Sequence, residues 1–425
     1  MTTTELKSAL LAGEFDDRLT ALYGAGNTEA QRARYATLAD FFLETYGDRE
    51  GSRFYSVPGR SEISGNHTDH NHGKVLAASI DLDIIAVAAA ADDNYVHITS
   101  VGFNPDDVDL TRIDDYRADR MHSASLVAGT ADGLRKRGYT AGGLVACTTS
   151  NVLKGSGLSS SAAFEDMCVN LQNHLYNEGK IGAVELAQIS QYAENEFFGK
   201  PCGLMDQIAC AAGGFVYIDF ADPSSPVVEK LPFDLGAHGY SLCIVDTGGN
   251  HADLTDDYAS VPREMKKVAS ALGCEYLRLT SRERVIAEAA KLRSECGDRA
   301  LLRALHFFAE NDRVTAQAEA LRLGDIDRFF ELVRLSGNSS VSFLQNVYTT
   351  KNVEEQGLTL ALALASGFLT DKGGAWRVHG GGFAGTIQAY VRDRDVDGFR
   401  KLMEGVFGEG SVYVLHVRAE GATKL

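Results

Sequence analysis

The chain has 425 residues, 44% of them hydrophobic and 23% charged, with a formal net charge of −17. That length suits two domains with real cores rather than one, and the acidic balance argues against a general partner for nucleic acid or an anionic membrane. A small anionic ligand is not excluded, because a few backbone amides and a metal ion can neutralise phosphate locally. The seven cysteines are odd in number and lack zinc spacing, so they read as reduced thiols. No basic segment leads into a long apolar run and no stretch has membrane-spanning length, so the expected location is the cytoplasm.

Residues 4–48 carry apolar positions at helical spacing and predict a helical lead-in. Ser52 to Val57 reads as a strand that Pro58-Gly59 should stop, since proline removes a ladder donor and glycine permits a turn. Ser61 to Gly73 is the densest polar cluster, with His67, Asp69, His70 and His72 close together. As a metal site it lacks helical i, i+4 spacing and a cysteine partner. A hydroxyl-rich ligand gripped by a carboxylate and imidazoles is the preferred reading. Residues 74–101 look like hairpin strands around Asp92-Asp93-Asn94. Residues 119–137 predict an amphipathic helix closing on Arg135-Lys136-Arg137-Gly138.

Residues 143–149 read as a buried strand, followed by a small-residue loop and a helix from Ala163. Glycines and serines at the start of a helix offer flexible backbone, hydroxyls and unpaired amides, which together suit an anion; the alternative is an ordinary turn that caps the helix. The loop is not Walker A, for no Lys-Ser/Thr follows its last glycine, and Ser160 stands where a dinucleotide turn has its third glycine. A second helix spans about 183–197. Beyond a Pro201-Cys202-Gly203 turn, Asp206 lies among Leu204, Met205 and Ile208, either as a helix cap or as a functional carboxylate made more basic by desolvation. Strands at 215–220 and 240–246 flank a turn at 222–226, and the domain change is set near here, giving domains 1–214 and 215–425. From Pro262 to about 370 the chain reads as four or five helical segments, then strands at 384–391 and 411–417 around a helix at about 394–405. The run Gly380-Gly381-Gly382 before the first of these strands suggests close approach to another loop or a ligand.

Four motifs in this order, Pro58-Gly59-Arg60 with Gly65-Asn66-His67-Thr68-Asp69, Gly155 to Ala162, Pro201 to Gln207 and Gly380 to Gly385, resemble the galactokinases among the GHMP small-molecule kinases. The resemblance runs from about residue 52 to 390. It implies an α+β, two-domain fold with mixed sheets and an active site in the interdomain cleft. It also implies transfer of the γ-phosphate of ATP to the anomeric hydroxyl of galactose, with Mg²⁺ as cofactor and a monomer as the assembly. On that resemblance Gly155, Ser156, Gly157, Leu158, Ser159, Ser160 and Ser161 cradle the triphosphate, and Ser160 and Glu194 hold Mg²⁺. Asp206 is the catalytic aspartate and Arg60 the cation beside it. Asn66, His67, Asp69, Gly203 and Tyr258 join them around the sugar. This sequence departs from the family pattern in three places. Asn66 stands where galactokinases carry the Glu that takes the C6 hydroxyl, His70 where Tyr is common, and the pattern around Tyr258 is eroded. Asn66 therefore invites a galacturonate or N-acetylhexosamine kinase as an alternative, and a non-catalytic sugar sensor on the same fold is a third reading.

Overall fold

The computed structural model describes residues 1–118, 120–152, 157–249 and 254–425. Gly155 and Ser156 of the expected phosphate loop lie outside the described residues. The lead-in forms helices α1 (Thr3–Leu11), α2 (Asp16–Tyr23) and α3 (Thr28–Tyr46). A reciprocal Thr2/Glu5 capping box starts α1, and Leu10, Leu19, Tyr35 and Phe42 pack onto Phe54 and Val87 of the first sheet. Then follow β1 (Arg53–Ser64), β2 (Lys74–Ala90), β3 (Tyr95–Ser100), β4 (Asp106–Asp109), α4 (Ser123–Lys136), β5 (Leu144–Ser150), α5 (Ser160–Tyr176), α6 (Ala183–Tyr192), α7 (Met205–Ala212), β6 (Phe215–Asp219) and β7 (Val227–Leu231). The second half holds β8 (Tyr240–Asp246), α8 (Thr255–Ala271), α9 (Arg282–Ala287), α10 (Ala289–Cys296), α11 (Asp298–Arg322), α12 (Ile326–Ser339), α13 (Gly357–Leu369), β9 (Ala375–Val378), β10 (Thr386–Arg392), α14 (Val396–Phe407), β11 (Val412–Leu415) and β12 (Thr423–Lys424).

The first sheet runs β12-β1-β2-β5-β3-β4, with β6 and β7 branching from β2. β2 is long enough to serve two partners on one edge: residues 74–78 pair with β6 and 84–90 with β5. The β3–β5 pair is parallel amid antiparallel neighbours, which makes the sheet mixed. The second sheet, β11-β8-β10-β9, is antiparallel. Helices with one mixed and one antiparallel sheet form the α+β architecture expected. Sheet membership does not follow a single cut at residue 214, because β6, β7 and β12 are hydrogen-bonded into the first sheet. We propose a unit of residues 1–231 with the last few residues of the chain, and a second unit between them.

Three local expectations change. Pro58-Gly59 does not stop β1: the strand continues to Ser64, with a register shift between Pro58 and Arg60. Such a bulge absorbs the missing donor without ending the ladder. The segments either side of Asp92-Asp93-Asn94 are not a hairpin, because β5 lies between β2 and β3. Periodicity gives a strand's faces but not its partners. Pro262 lies inside α8, which begins at Thr255, so the helical region opens before the proline rather than at it; packing of Val261, Met265 and Val268 outweighs the lost backbone donor.

Candidate active site

The bulge in β1 sets the site. Gly59 lies so close to the phosphate loop that a Cβ there would come within 2.7 Å of the Leu158 carbonyl, and the Arg60 amide donates to that carbonyl at 3.1 Å. The Arg60 guanidinium then ties two distant segments together. It donates to Asp206 through Nε (2.8 Å to Oδ1) and Nη2 (2.6 Å to Oδ2), and Nη1 donates to the Gly157 carbonyl. Ser159 flanks α5 in the left-handed region and makes no capping bond, which leaves its hydroxyl to donate to Asp206 Oδ2. Asp206 is not a cap, since Leu204 holds that place. It sits in the first turn of α7, where a negative charge is favoured by the helix dipole. Burial pushes its pKa up, but Arg60 and the Ser159 hydroxyl pull harder and hold it below the ordinary carboxylate range. Asp206 is therefore neither a cap nor a carboxylate made more basic by desolvation: it is an ionised member of a charged cluster.

The second sheet reaches the same place. A Cβ on Gly157 would lie 3.3 Å from the ring of His379, and that ring is held between Ser61 (3.1 Å) and Thr386 (2.9 Å). Burial and the nearby cations Arg60 and Arg377 push the His379 pKa down to about 3, so the ring is neutral.

The polar loop after β1 is anchored from the helical half. Glu310 of α11 is fully buried and accepts from the Gly65 amide (3.1 Å), the Ser64 hydroxyl (2.9 Å), the Ser336 hydroxyl (2.5 Å) and Arg313 (2.8 Å). The Asn66 side chain is engaged at both ends: Nδ2 donates to Glu62 Oε1 (2.9 Å) and the Gly380 carbonyl (2.6 Å), while Oδ1 accepts from Asn346 (2.6 Å). His67 pairs through Nε2 with the Gly381 carbonyl at 2.9 Å. Burial lowers its pKa to about 4, so the ring is neutral, Nε2 carries the proton and Nδ1 is left as an acceptor. Asp69 lies against Gly203, where a Cβ would meet its carboxylate at 2.9 Å. A cavity of about 150 Å³ collects Glu62, Asn66, His67, Asp69 and His70, with Met205 and Gly381 on its walls. The glycine run thus closes over the polar loop, the close approach the sequence suggested. Tyr258 stands outside this lining: its hydroxyl donates to the Gly382 carbonyl at 2.7 Å and its ring packs on Phe383, so it props the glycine run.

Glu194 sits in the irregular last turn after α6, buried, accepting from Lys200 (2.9 Å) and Gln207 (3.1 Å). Gln207 also donates to Glu165 at 3.0 Å, and burial together with Glu194 pushes the Glu165 pKa well up. Glu165 Oε1 is buried without a partner, so the pair holds more acceptor capacity than the protein satisfies. Ser160 and Ser161 line a different, larger cavity of about 410 Å³, walled by Ile84, Val101, Phe103 and Phe164. Among the described residues no group of three or more His, Cys, Asp or Glu is arranged to hold a metal ion alone, and no helix is long and apolar enough to cross a membrane.

The sequence did not point to Glu62, Glu310, Asn346 or His379, nor to the hydrogen bond from Ser159 to Asp206. Glu62 lies inside the polar cluster of Ser61 to Gly73. The other three carry no decisive local signal, because the residues of β1 and its loop that they bind, Gly65, Asn66 and Ser61, are remote in the chain.

The galactokinase galactose-binding signature matches residues 40–90 and the GHMP kinase N-terminal domain matches residues 125–214. A galactokinase of Streptomyces coelicolor is 33% identical over 374 residues, covering 87% of this chain and 92% of that protein. The chain belongs to the galactokinase family. A galactokinase of Actinobacillus pleuropneumoniae is 30% identical over 365 residues, covering 85% of this chain and 91% of its own. The crystal structure of Lactococcus lactis galactokinase complexed with galactose superposes with a TM-score of 0.76 at 25% identity, over 92% of this chain and 100% of that one. Mevalonate kinase of Methanococcus jannaschii, at 13% identity and a TM-score of 0.60 over 87% of this chain and 99% of its own, shares the fold.

Proposed function

We propose that this galactokinase-family chain is an ATP-dependent sugar 1-kinase that phosphorylates galactose at its anomeric hydroxyl. It would act as a cytoplasmic monomer with the sugar and ATP as its partners and with neither nucleic acid nor membrane among them. One observation carries the reading: a single guanidinium, Arg60, bonds both the Asp206 carboxylate and the backbone of the phosphate loop. A carboxylate that can receive the sugar's proton and a loop that can hold a triphosphate therefore share one cation.

Phosphoryl transfer needs positioning and charge neutralisation more than covalent help. Asp206, ionised, would accept the hydrogen bond of the anomeric hydroxyl and take its proton late, since a carboxylate of low pKa is a weak base. Ser159 fixes the carboxylate rotamer, and Arg60 would steady charge on the moving phosphoryl. The amides at 157–161 and the hydroxyls of Ser160 and Ser161, at the start of α5, would receive the phosphates, with the apolar cavity beside Ser160 and Ser161 taking the flat base. His67, Asp69 and the Gly203 backbone would hold the sugar. Mg²⁺ would be held by Ser160 and Glu194 together with phosphate oxygens, a donor set Mg²⁺ commonly uses, and the surplus acceptor at Glu165 fits a cation nearby. When bound it supplies neutralisation of the phosphate charge.

The test is a panel of galactose, galacturonate and N-acetylgalactosamine with ATP and Mg²⁺, read by ADP release with the product checked for a 1-phosphate. Asp206→Asn should cut kcat by about 10²–10⁴ while ATP still binds. Silence on the whole panel, or normal turnover by Asp206→Asn, would refute the proposal. Full engagement of the Asn66 amide removes the feature that favoured a C6-acid sugar, and the presence of Asp206 and Ser161-Ala162 argues against a non-catalytic sensor.

A further inference from the structure

A carboxylate stands in the sugar cavity that no family motif assigned. Arg60 and Glu62 are alternate residues of β1 with unbroken pairing between them, Arg60 opposite Ser79 and Glu62 opposite Ala77, so their side chains leave the same face of the strand. Arg60 turns to Asp206; Glu62 lines the cavity shared by Asn66, His67 and Asp69. Oε1 of Glu62 accepts from Asn66 at 2.9 Å and lies 3.5 Å from the fully buried Arg377. Oε2 has no hydrogen-bond partner among the described residues and is not sealed from solvent. Both N–H groups of Asn66 are taken by Glu62 and Gly380, its oxygen accepts from Asn346, and the residue is fully buried, so it keeps no donor for a sugar.

We infer that Glu62 Oε2, rather than the Asn66 amide, receives the C6 hydroxyl of the sugar and selects neutral hexoses over their C6 acids. The inference rests on the sugar 1-kinase reading above. A carboxylate accepts and cannot donate, so a primary alcohol at C6 completes it. A C6 carboxylate would meet it as like charge in a small cavity. Asn66 acts behind it, holding Oε1 so that Oε2 faces inward.

The decisive comparison is kcat/KM for galactose, 6-deoxygalactose and galacturonate, measured on wild type and Glu62→Gln with ATP and Mg²⁺. Wild type should prefer galactose over its 6-deoxy analogue by about tenfold to a hundredfold, the range expected for a hydrogen bond to a charged group. In Glu62→Gln that ratio should fall towards unity, and galacturonate should gain relative to galactose. An unchanged ratio, or an equal loss on all three sugars, would overturn the inference and leave Glu62 a structural partner of Asn66 and Arg377. If Glu62→Gln does not fold, Glu62→Asp, one methylene shorter, must lower the same ratio, and failure to do so overturns it equally. A wild type that turns over none of the panel's sugars overturns the kinase reading itself, a result the ratio cannot mimic.

Discussion

Replacing Arg60 by methionine separates its two effects on Asp206. The guanidinium approaches the carboxylate at 2.6 and 2.8 Å, which puts the charge centres about 4 Å apart, worth about 4 kcal/mol at an effective dielectric near 20. About a third of the Asp206 side chain is open to solvent, and screening cuts this to about half. Burial, the largest influence on Asp206, then acts unopposed by that charge. The sign follows: activity needs the carboxylate ionised, so in wild type the acid limb of kcat/KM lies below the usual aspartate range, and in Arg60→Met it should move up in pH. Overall kcat should fall as well, through lost contact with the phosphoryl group. Arg60→Lys, which keeps the charge but not the paired geometry, should lose rate with a much smaller displacement of the limb. Coincident acid limbs for wild type and Arg60→Met would refute this account of Asp206.

Three further outcomes follow from the geometry. Gly59→Ala puts a Cβ 2.7 Å from the Leu158 carbonyl, so the phosphate loop must shift; KM for ATP should rise several-fold in initial-rate assays while the sugar KM changes little. Asp83 is fully buried and bonded to Arg34 (2.6 Å), Arg418 (3.1 Å) and the hydroxyls of Tyr23 and Ser56, so Asp83→Ala strands the fully buried Arg418 and should cost about 3–5 kcal/mol in urea unfolding. The Asp83 pKa is held low despite burial by those two arginines, so its stabilisation is complete above the unfolded aspartate value and fades as pH falls through the folded one; acid unfolding monitored by circular dichroism should steepen there. Asn66→Glu would set a second carboxylate against Glu62 and the Gly380 carbonyl, neither of which can donate, so it should lower the thermal midpoint rather than restore tight galactose binding, and a stable, tighter-binding variant would contradict the hydrogen bonds assigned to Asn66.

What could be read from the chain alone was local. The helical lead-in, the strand–loop–helix around Ser159 to Ser161, the helix ending at Lys136 and the carboxylate after Gly203 all follow from side-chain period, glycine and capping chemistry acting within a few residues. Even the glycine run at 380–382 announced a close approach, since three residues without Cβ have little other use.

Pairings across the chain were decided by packing. β5 enters between β2 and β3 because the apolar run from Ile84 to Ala90 can be covered on both edges, a choice no alternation pattern encodes. Asn66 has the amide expected of it, but its direction is set by Asn346, 280 residues away, and Glu62 becomes the open acceptor only because that amide is taken. Sequence fixes which groups a segment carries, because that is covalent. Which groups remain unsatisfied, and so face a ligand, depends on every partner the folded chain brings within hydrogen-bond reach, and only the tertiary structure determines that remainder.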